Sequence, residues 1–233
     1  MRAANTANMT TDALSFRDGT IGLLRDADGK PDAPFVCLLA GREDSAQIRT
    51  LAQEMGAPPF SMAVIPVADW NDSLSPWPAP GLRGGGDFGG GADAFLRALE
   101  AALPAVRAAL EAPDAPCYLA GYSLAGLFSV YALYRSAAFA GAASVSGSLW
   151  FPGFAEFCAS HEPKCVPDRV YFSLGDRESR TKNELLRRTE DMTRALSAAL
   201  RERGTESVFE LNPGGHFKDA ETRVARGLAW LMR

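Results

Sequence analysis

The stretch Gly121-Tyr122-Ser123-Leu124-Ala125-Gly126 constrains what this chain can fold into more than any other. Before it, Ala115-Pro116-Cys117-Tyr118-Leu119-Ala120 is a short apolar run opened by proline, the pattern of a buried strand. After it, Leu127 to Tyr134 is apolar enough, and long enough, for a buried helix. Small residues around a serine at such a corner have a steric reason. The turn is tight, so bulky side chains two positions before the serine, or two or three after it, would collide. The hydroxyl is lifted clear of the backbone, and the following helix aims its positive N-terminus at it. The usual spelling is G-x-S-x-G; here Ala125 takes the last position, with Gly126 beside it.

Length and charge narrow the remaining choices. At 233 residues the chain suits one α/β domain, expected over residues 16–233 behind a flexible N-terminus of residues 1–15. A hydrophobic content of 47% with 22% charged residues is that of a soluble globular protein. The net charge of −4 gives no reason to expect nucleic acid or an anionic membrane as partner. No apolar stretch approaches the length of a transmembrane helix, and the polar first residues lack the apolar core of a secretory signal. Cys37 and Cys117 fall inside apparent strands and read as buried thiols. With Cys158 and Cys165 they form no dense framework, so a cytoplasmic location is expected.

Taken in order, Leu14 to Arg25 reads as a short hairpin turning at Asp18-Gly19, and Phe35 to Ala40 as a central parallel strand. A helix over Ser45–Met55 and a strand over Met62–Val67 follow. Ala68 to about Gly90 is a long irregular loop rich in proline and glycine. Its Gly84-Gly85-Gly86-Asp87-Phe88-Gly89 matches a dinucleotide fingerprint in letters only, because no strand precedes it. Further helices are expected over Asp93–Leu110, over Glu184–Arg203 with Leu185, Met192, Leu196 and Leu200 inward, and from about Asp219 to the end. Strands are expected at Gly141–Ser146, Arg169–Leu174 and Ser207–Leu211. Strands alternating with helices imply a mainly parallel twisted sheet covered by helices on both faces.

A reactive serine needs a base, and the chain has two histidines. His216 follows the last strand, at the carboxyl edge of the sheet that also carries Ser123. His161 precedes the acid-bearing strand and is expected to be an exposed loop residue. A metal site built from Cys158, His161 and Cys165 would have irregular spacing and no fourth ligand. The third member should be a carboxylate after Arg169–Leu174, where both Asp176 and Glu178 are available. Glu178, three positions past the strand-ending Gly175, is favoured because a glutamate's extra methylene lets it reach an imidazole from that loop, and Asp176 remains the alternative acid. The order Ser123, Glu178, His216 is serine, acid, histidine.

Tyr118–Leu133, Ser144–Pro152, Leu174–Glu178 and Gly214-Gly215-His216-Phe217, together with Trp70-Asn71 and Ser75-Pro76-Trp77-Pro78, resemble a family of α/β-hydrolase-fold serine esterases. That family includes siderophore trilactone esterases, formylglutathione hydrolases and acyl-transferring relatives. The resemblance runs from about Phe35 to the C-terminus and departs from the family's pattern at Ala125; no large lid and no additional N-terminal domain are expected. It implies an α/β-hydrolase fold and hydrolysis of a siderophore-type or small acyl ester through an acyl-enzyme, with no metal or organic cofactor. Acyl transfer by the same residues, or a non-catalytic binding protein on this fold, are the alternatives. The oxyanion is expected to be held by the N–H of Leu124 and one near Gly41 or Arg42. Trp70, Trp77, Tyr122 and Trp150 are candidate pocket walls, with ordinary half-buried packing as the competing reading of the tryptophans.

Overall fold

Apolar runs such as Phe35–Ala40 and Cys117–Tyr122 become central strands because a strand covered on both faces has no polar side to show. The computed structural model describes residues 14–17, 19–26, 33–40, 45–82 and 85–233. In chain order its elements begin with β1 (Leu14–Phe16), β2 (Gly19–Leu24), β3 (Phe35–Ala40), α1 (Ser45–Glu54), β4 (Ser61–Pro66) and α2 (Trp70–Ser73). Next come β5 (Pro78–Ala79), β6 (Phe88–Gly89), α3 (Ala92–Leu110), β7 (Cys117–Tyr122), α4 (Leu124–Arg135) and β8 (Gly141–Val145). The chain closes with α5 (Phe154–Ser160), β9 (Arg169–Gly175), α6 (Glu184–Arg187), α7 (Thr189–Glu202), β10 (Glu206–Asn212) and α8 (Ala220–Leu231).

Eight strands form one sheet in the order β1-β2-β4-β3-β7-β8-β9-β10. From β4 to β10 all neighbours are parallel, and the β1–β2 hairpin is antiparallel, as is its junction with β4. Period-two alternation sends each strand into two cores. Phe35, Cys37, Leu39, Cys117 and Leu119 enter one, with α3 and α4, while Val36, Leu38, Tyr118 and Ala120 enter the other, with α1 and α8. Parallel strands all end at one edge. Ser123 after β7, Glu178 after β9 and His216 after β10 therefore emerge together.

Several expectations need correction. The single helix expected over Glu184–Arg203 is broken at Arg188 into α6 and α7. The Asn183 side chain caps α6 by accepting from the N–H groups of Leu185 and Leu186, and Thr189 Oγ1 donates to the Leu186 carbonyl at 2.8 Å. The break turns Leu185 outward, 38% exposed, where an inward residue was expected. The long loop contains α2 and the small β5–β6 ribbon, and α5 occupies a segment for which no element was expected. Of the N-terminal stretch expected to be flexible, residues 1–13 lie outside the described residues and Leu14 and Ser15 belong to β1; Asp18 of the expected turn is also outside. Cys37 and Cys117 are buried free thiols with their sulfurs 3.8 Å apart.

The β7–α4 corner leaves no room at Gly121, where a Cβ would stand 2.4 Å from Ala125 Cβ. Ala125 is thus tolerated in place of glycine because residue 121 has no side chain. Gly126 is the close-packed position, its notional Cβ 3.0 Å from Gly147 Cα. Gly121→Ala is expected to destabilise the protein by about 1–3 kcal/mol through overpacking, lowering Tm by roughly 2–12 °C. Gly22→Ala, whose Cβ would meet Val64 at an ordinary 3.6 Å, should leave Tm within about 2 °C. Thermal unfolding of the two variants checks this.

Candidate active site

Ser123 has φ +58° and ψ −120°, a backbone region that costs a non-glycine residue about 1–3 kcal/mol. Its neighbours hold it there. Ser123 N–H donates to the Val145 carbonyl at 3.0 Å, while the N–H groups of Ser148 and Leu127 donate to its own carbonyl at 3.0 and 3.1 Å. Sheet, helix and the turn after β8 all grip one residue. The result is an Oγ directed at His216 Nε2, 3.1 Å away, with Ser148 Oγ at 3.4 Å.

His216 is oriented from both sides. Its Nδ1 lies 2.7 Å from Glu178 Oε2, so Nδ1 carries the hydrogen and Nε2 is left to accept from Ser123. Its backbone carbonyl accepts from the Tyr122 hydroxyl. The other carboxylate oxygen, Oε1, accepts from Gly175 N–H at 2.5 Å, from Ser146 Oγ at 2.8 Å and from Arg223 Nη1 at 3.1 Å. Burial by itself raises the Glu178 carboxyl, but hydrogen bonds from His216, from Gly175 N–H and from Ser146 outweigh it and hold the group below its ordinary range.

Arg223 is the residue sequence reasoning missed. Its side chain is 2% exposed, and besides Glu178 it donates from Nη1 to Ser146 Oγ at 3.1 Å. Its Nη2 donates to the carbonyls of Pro213 at 3.1 Å and Gly215 at 3.0 Å. One guanidinium on α8 thus ties the acid to the loop that carries the imidazole. The available signal was an arginine on the inward stripe of a helix that buries Val224, Gly227, Leu228 and Leu231.

Asp176 has a different task. Its Oδ1 accepts from Gly214 N–H at 2.8 Å, shaping the His216 loop without approaching the ring nitrogens. His161 is exposed and stacked on Phe157, centroids 4.4 Å apart. A cavity of about 410 Å³ opens over Ser123 and is bordered by Leu124, Trp70, Trp150, Phe88, Leu186 and Phe217. Trp77 does not border it. Its Nε1 donates to the Pro152 carbonyl at 2.9 Å and its rings pack against Tyr131, Phe151 and Phe157. Tyr122 likewise acts on the histidine loop and is not a cavity wall. Leu124, the first residue of α4, has an N–H with no acceptor inside its helix. Gly41 and Arg42, the expected second oxyanion donors, lie outside the described residues.

No protein-family model matches the chain. Solved structures do. An IroE-like serine hydrolase from Shewanella oneidensis superposes with a TM-score of 0.77 at 18% identity, covering 91% of this chain and 75% of that one. The siderophore hydrolase EstA from Aspergillus nidulans superposes with a TM-score of 0.70 at 20% identity, covering 94% and 92%. This is the α/β-hydrolase fold. At such identities the likeness speaks to architecture alone. A relative in sequence, the uncharacterized protein YbbA of Bacillus subtilis strain 168, is 30% identical over 138 residues. The match spans 57% of this chain and 55% of YbbA, little more than half of either.

Folding lowers the Glu178 carboxyl pKa, so its ionised form stabilises the native state. That contribution is fully present above the unfolded value, about 4.3, and is lost as pH falls through the lower folded value. Thermal unfolding of the wild type and Glu178→Gln should accordingly show a Tm gap, wild type higher, once the pH is above the unfolded carboxylate value. The gap should narrow as pH drops below about 4. A gap that widens on acidification would contradict the assigned environment.

Proposed function

We propose that the chain is a serine carboxylic-ester hydrolase working through an acyl-enzyme, with Ser123 as nucleophile, His216 as base and Glu178 as the orienting acid. The observation that carries the reading is the continuous line Ser123 Oγ, His216 Nε2, His216 Nδ1, Glu178 Oε2, with links of 3.1 and 2.7 Å, at the floor of a cavity. The siderophore hydrolase named among the similar structures is consistent with ester chemistry on this scaffold.

As Ser123 Oγ attacks the ester carbonyl carbon, its proton passes to His216 Nε2 and the carbonyl electron pair moves onto oxygen. The oxyanion is met by the Leu124 N–H and, in this reading, by a second N–H near Gly41 or Arg42. When the pair returns, the bond from carbon to the alcohol oxygen breaks, and the departing oxygen takes the proton from Nε2. Water then attacks the acyl-serine, giving its proton to the same nitrogen. Collapse releases the carboxylic acid, and the proton returns to Ser123. Throughout, Glu178 stabilises the imidazolium and keeps Nδ1 protonated, while Arg223 keeps Glu178 and the histidine loop in place. No step needs a cofactor. The free thiols of Cys37, Cys117, Cys158 and Cys165 suit a reducing compartment, and we place the enzyme in the cytoplasm. Among the described residues no helix is long and apolar enough to cross a membrane.

Steady-state kinetics on one activated ester tests the assignment. Ser123→Ala should lower kcat by up to about a millionfold, and Glu178→Gln by on the order of 10²- to 10⁴-fold. Asp176→Asn, whose carboxylate meets the Gly214 N–H and the neighbouring Arg177 among the described residues, should cost less than about tenfold. A larger loss at Asp176 than at Glu178 would reassign the acid, and substantial activity in Ser123→Ala would refute the mechanism.

A further inference from the structure

Phe217 directly follows His216 and is 93% exposed, the most exposed large hydrophobic side chain among the described residues. A solitary exposed apolar residue is ordinary on a protein surface. This one differs in place and in rigidity. It borders the cavity over Ser123, and its ring stands edge-on to the imidazole with centroids 5.0 Å apart. The loop beneath it is fixed by the Tyr122 hydroxyl on the His216 carbonyl, by Arg223 on the Pro213 and Gly215 carbonyls, and by Asp176 on the Gly214 N–H. Trp70, Trp150 and Leu186 stand on the other walls. Among the described lining residues only Glu178 and His216 can ionise, and the Glu178 side chain is 7% exposed, with both oxygens bonded within the protein.

The chemistry decides which part of a substrate meets this ring. The departing alcohol oxygen must take its proton from His216 Nε2, so the alcohol portion lies against the imidazole during acylation. Phe217 flanks that same ring. We propose that Phe217 is the leaving-group wall of the site, a specificity-determining residue, and that the natural substrate is an ester of an apolar or aromatic alcohol. An aryl or branched alkyl group laid on Phe217 removes apolar surface of both partners from water. Because the loop is already ordered, little of that gain is spent on ordering it. The inference rests on the ester-hydrolase reading above.

The test compares kcat/KM for benzyl butyrate and ethyl butyrate, and for ethyl octanoate and ethyl butyrate, in wild type and Phe217→Ala. A side chain this exposed contributes little to packing, so the variant should keep the wild-type Tm, and Phe217→Leu provides a second, apolar replacement. The expected result is a fall of about tenfold or more in the benzyl-to-ethyl ratio for Phe217→Ala. A smaller fall is expected for Phe217→Leu, and the octanoate-to-butyrate ratio should shift less than about threefold in either variant. An unchanged benzyl-to-ethyl ratio, or a fall that follows acyl length instead of the alcohol, would overturn the proposal. Ser123→Ala assayed on ethyl butyrate separates the two levels. Loss of hydrolysis there with an unmoved benzyl-to-ethyl ratio refutes only the role of Phe217, whereas retained hydrolysis removes the underlying reading and the proposal with it.

Discussion

Everything at the candidate site depends on one residue being held in a backbone conformation it would not choose. Ser123 sits at φ +58° because β7 must hand the chain to α4 within a single residue. The sheet supplies a partner for its N–H, and the first turn of the helix and the β8 turn both bond its carbonyl. Strain of this kind survives only where the surroundings over-determine it. Gly121 and Gly126 are consequences of that demand, since a side chain at the first would strike Ala125 and one at the second would press on Gly147.

The second constraint is electrostatic. A carboxylate that orients a histidine must present one oxygen and keep the other occupied, or it will rotate and accept from either. Glu178 meets the condition with three donors on Oε1 and the imidazole on Oε2. Two charges at 2% and 7% exposure would be costly if left alone, and each is hydrogen-bonded by further partners. The same guanidinium grips the carbonyls of the histidine loop, so the closing helix fixes the distance between acid and base. Preorganisation here means that neither the base nor the backbone loop that carries Phe217 has to be ordered by substrate.

What the sequence displayed follows from what burial does to patterns. Strands covered on both faces read as unbroken apolar runs, and a strained corner demands small residues at fixed offsets, so β3, β7, β9 and the placement of Ser123 were visible. His216 and Glu178 were reachable by chain order and by the shared carboxyl edge. Arg223 was not, because it joins Glu178 across 45 positions and no local pattern records a long-range ion pair. Trp70 and Trp77 looked alike in one loop. Which indole faces the cavity depends on the Pro152 carbonyl and the aromatic cluster that capture Trp77. α5 has 7 residues, too few for helical periodicity to stand out, and the α6–α7 break is made by side-chain caps in a segment without glycine or proline.

The central claim is that Ser123 is a nucleophile activated by His216. Reaction with a fluorophosphonate probe, followed by mass spectrometry of the intact chain and its peptides, addresses it without any knowledge of the substrate. The account predicts one adduct per chain on Ser123, formed far more slowly in His216→Gln and at the wild-type rate in His161→Gln. No adduct would contradict it. So would an adduct on Ser148, whose hydroxyl lies 3.4 Å from that of Ser123.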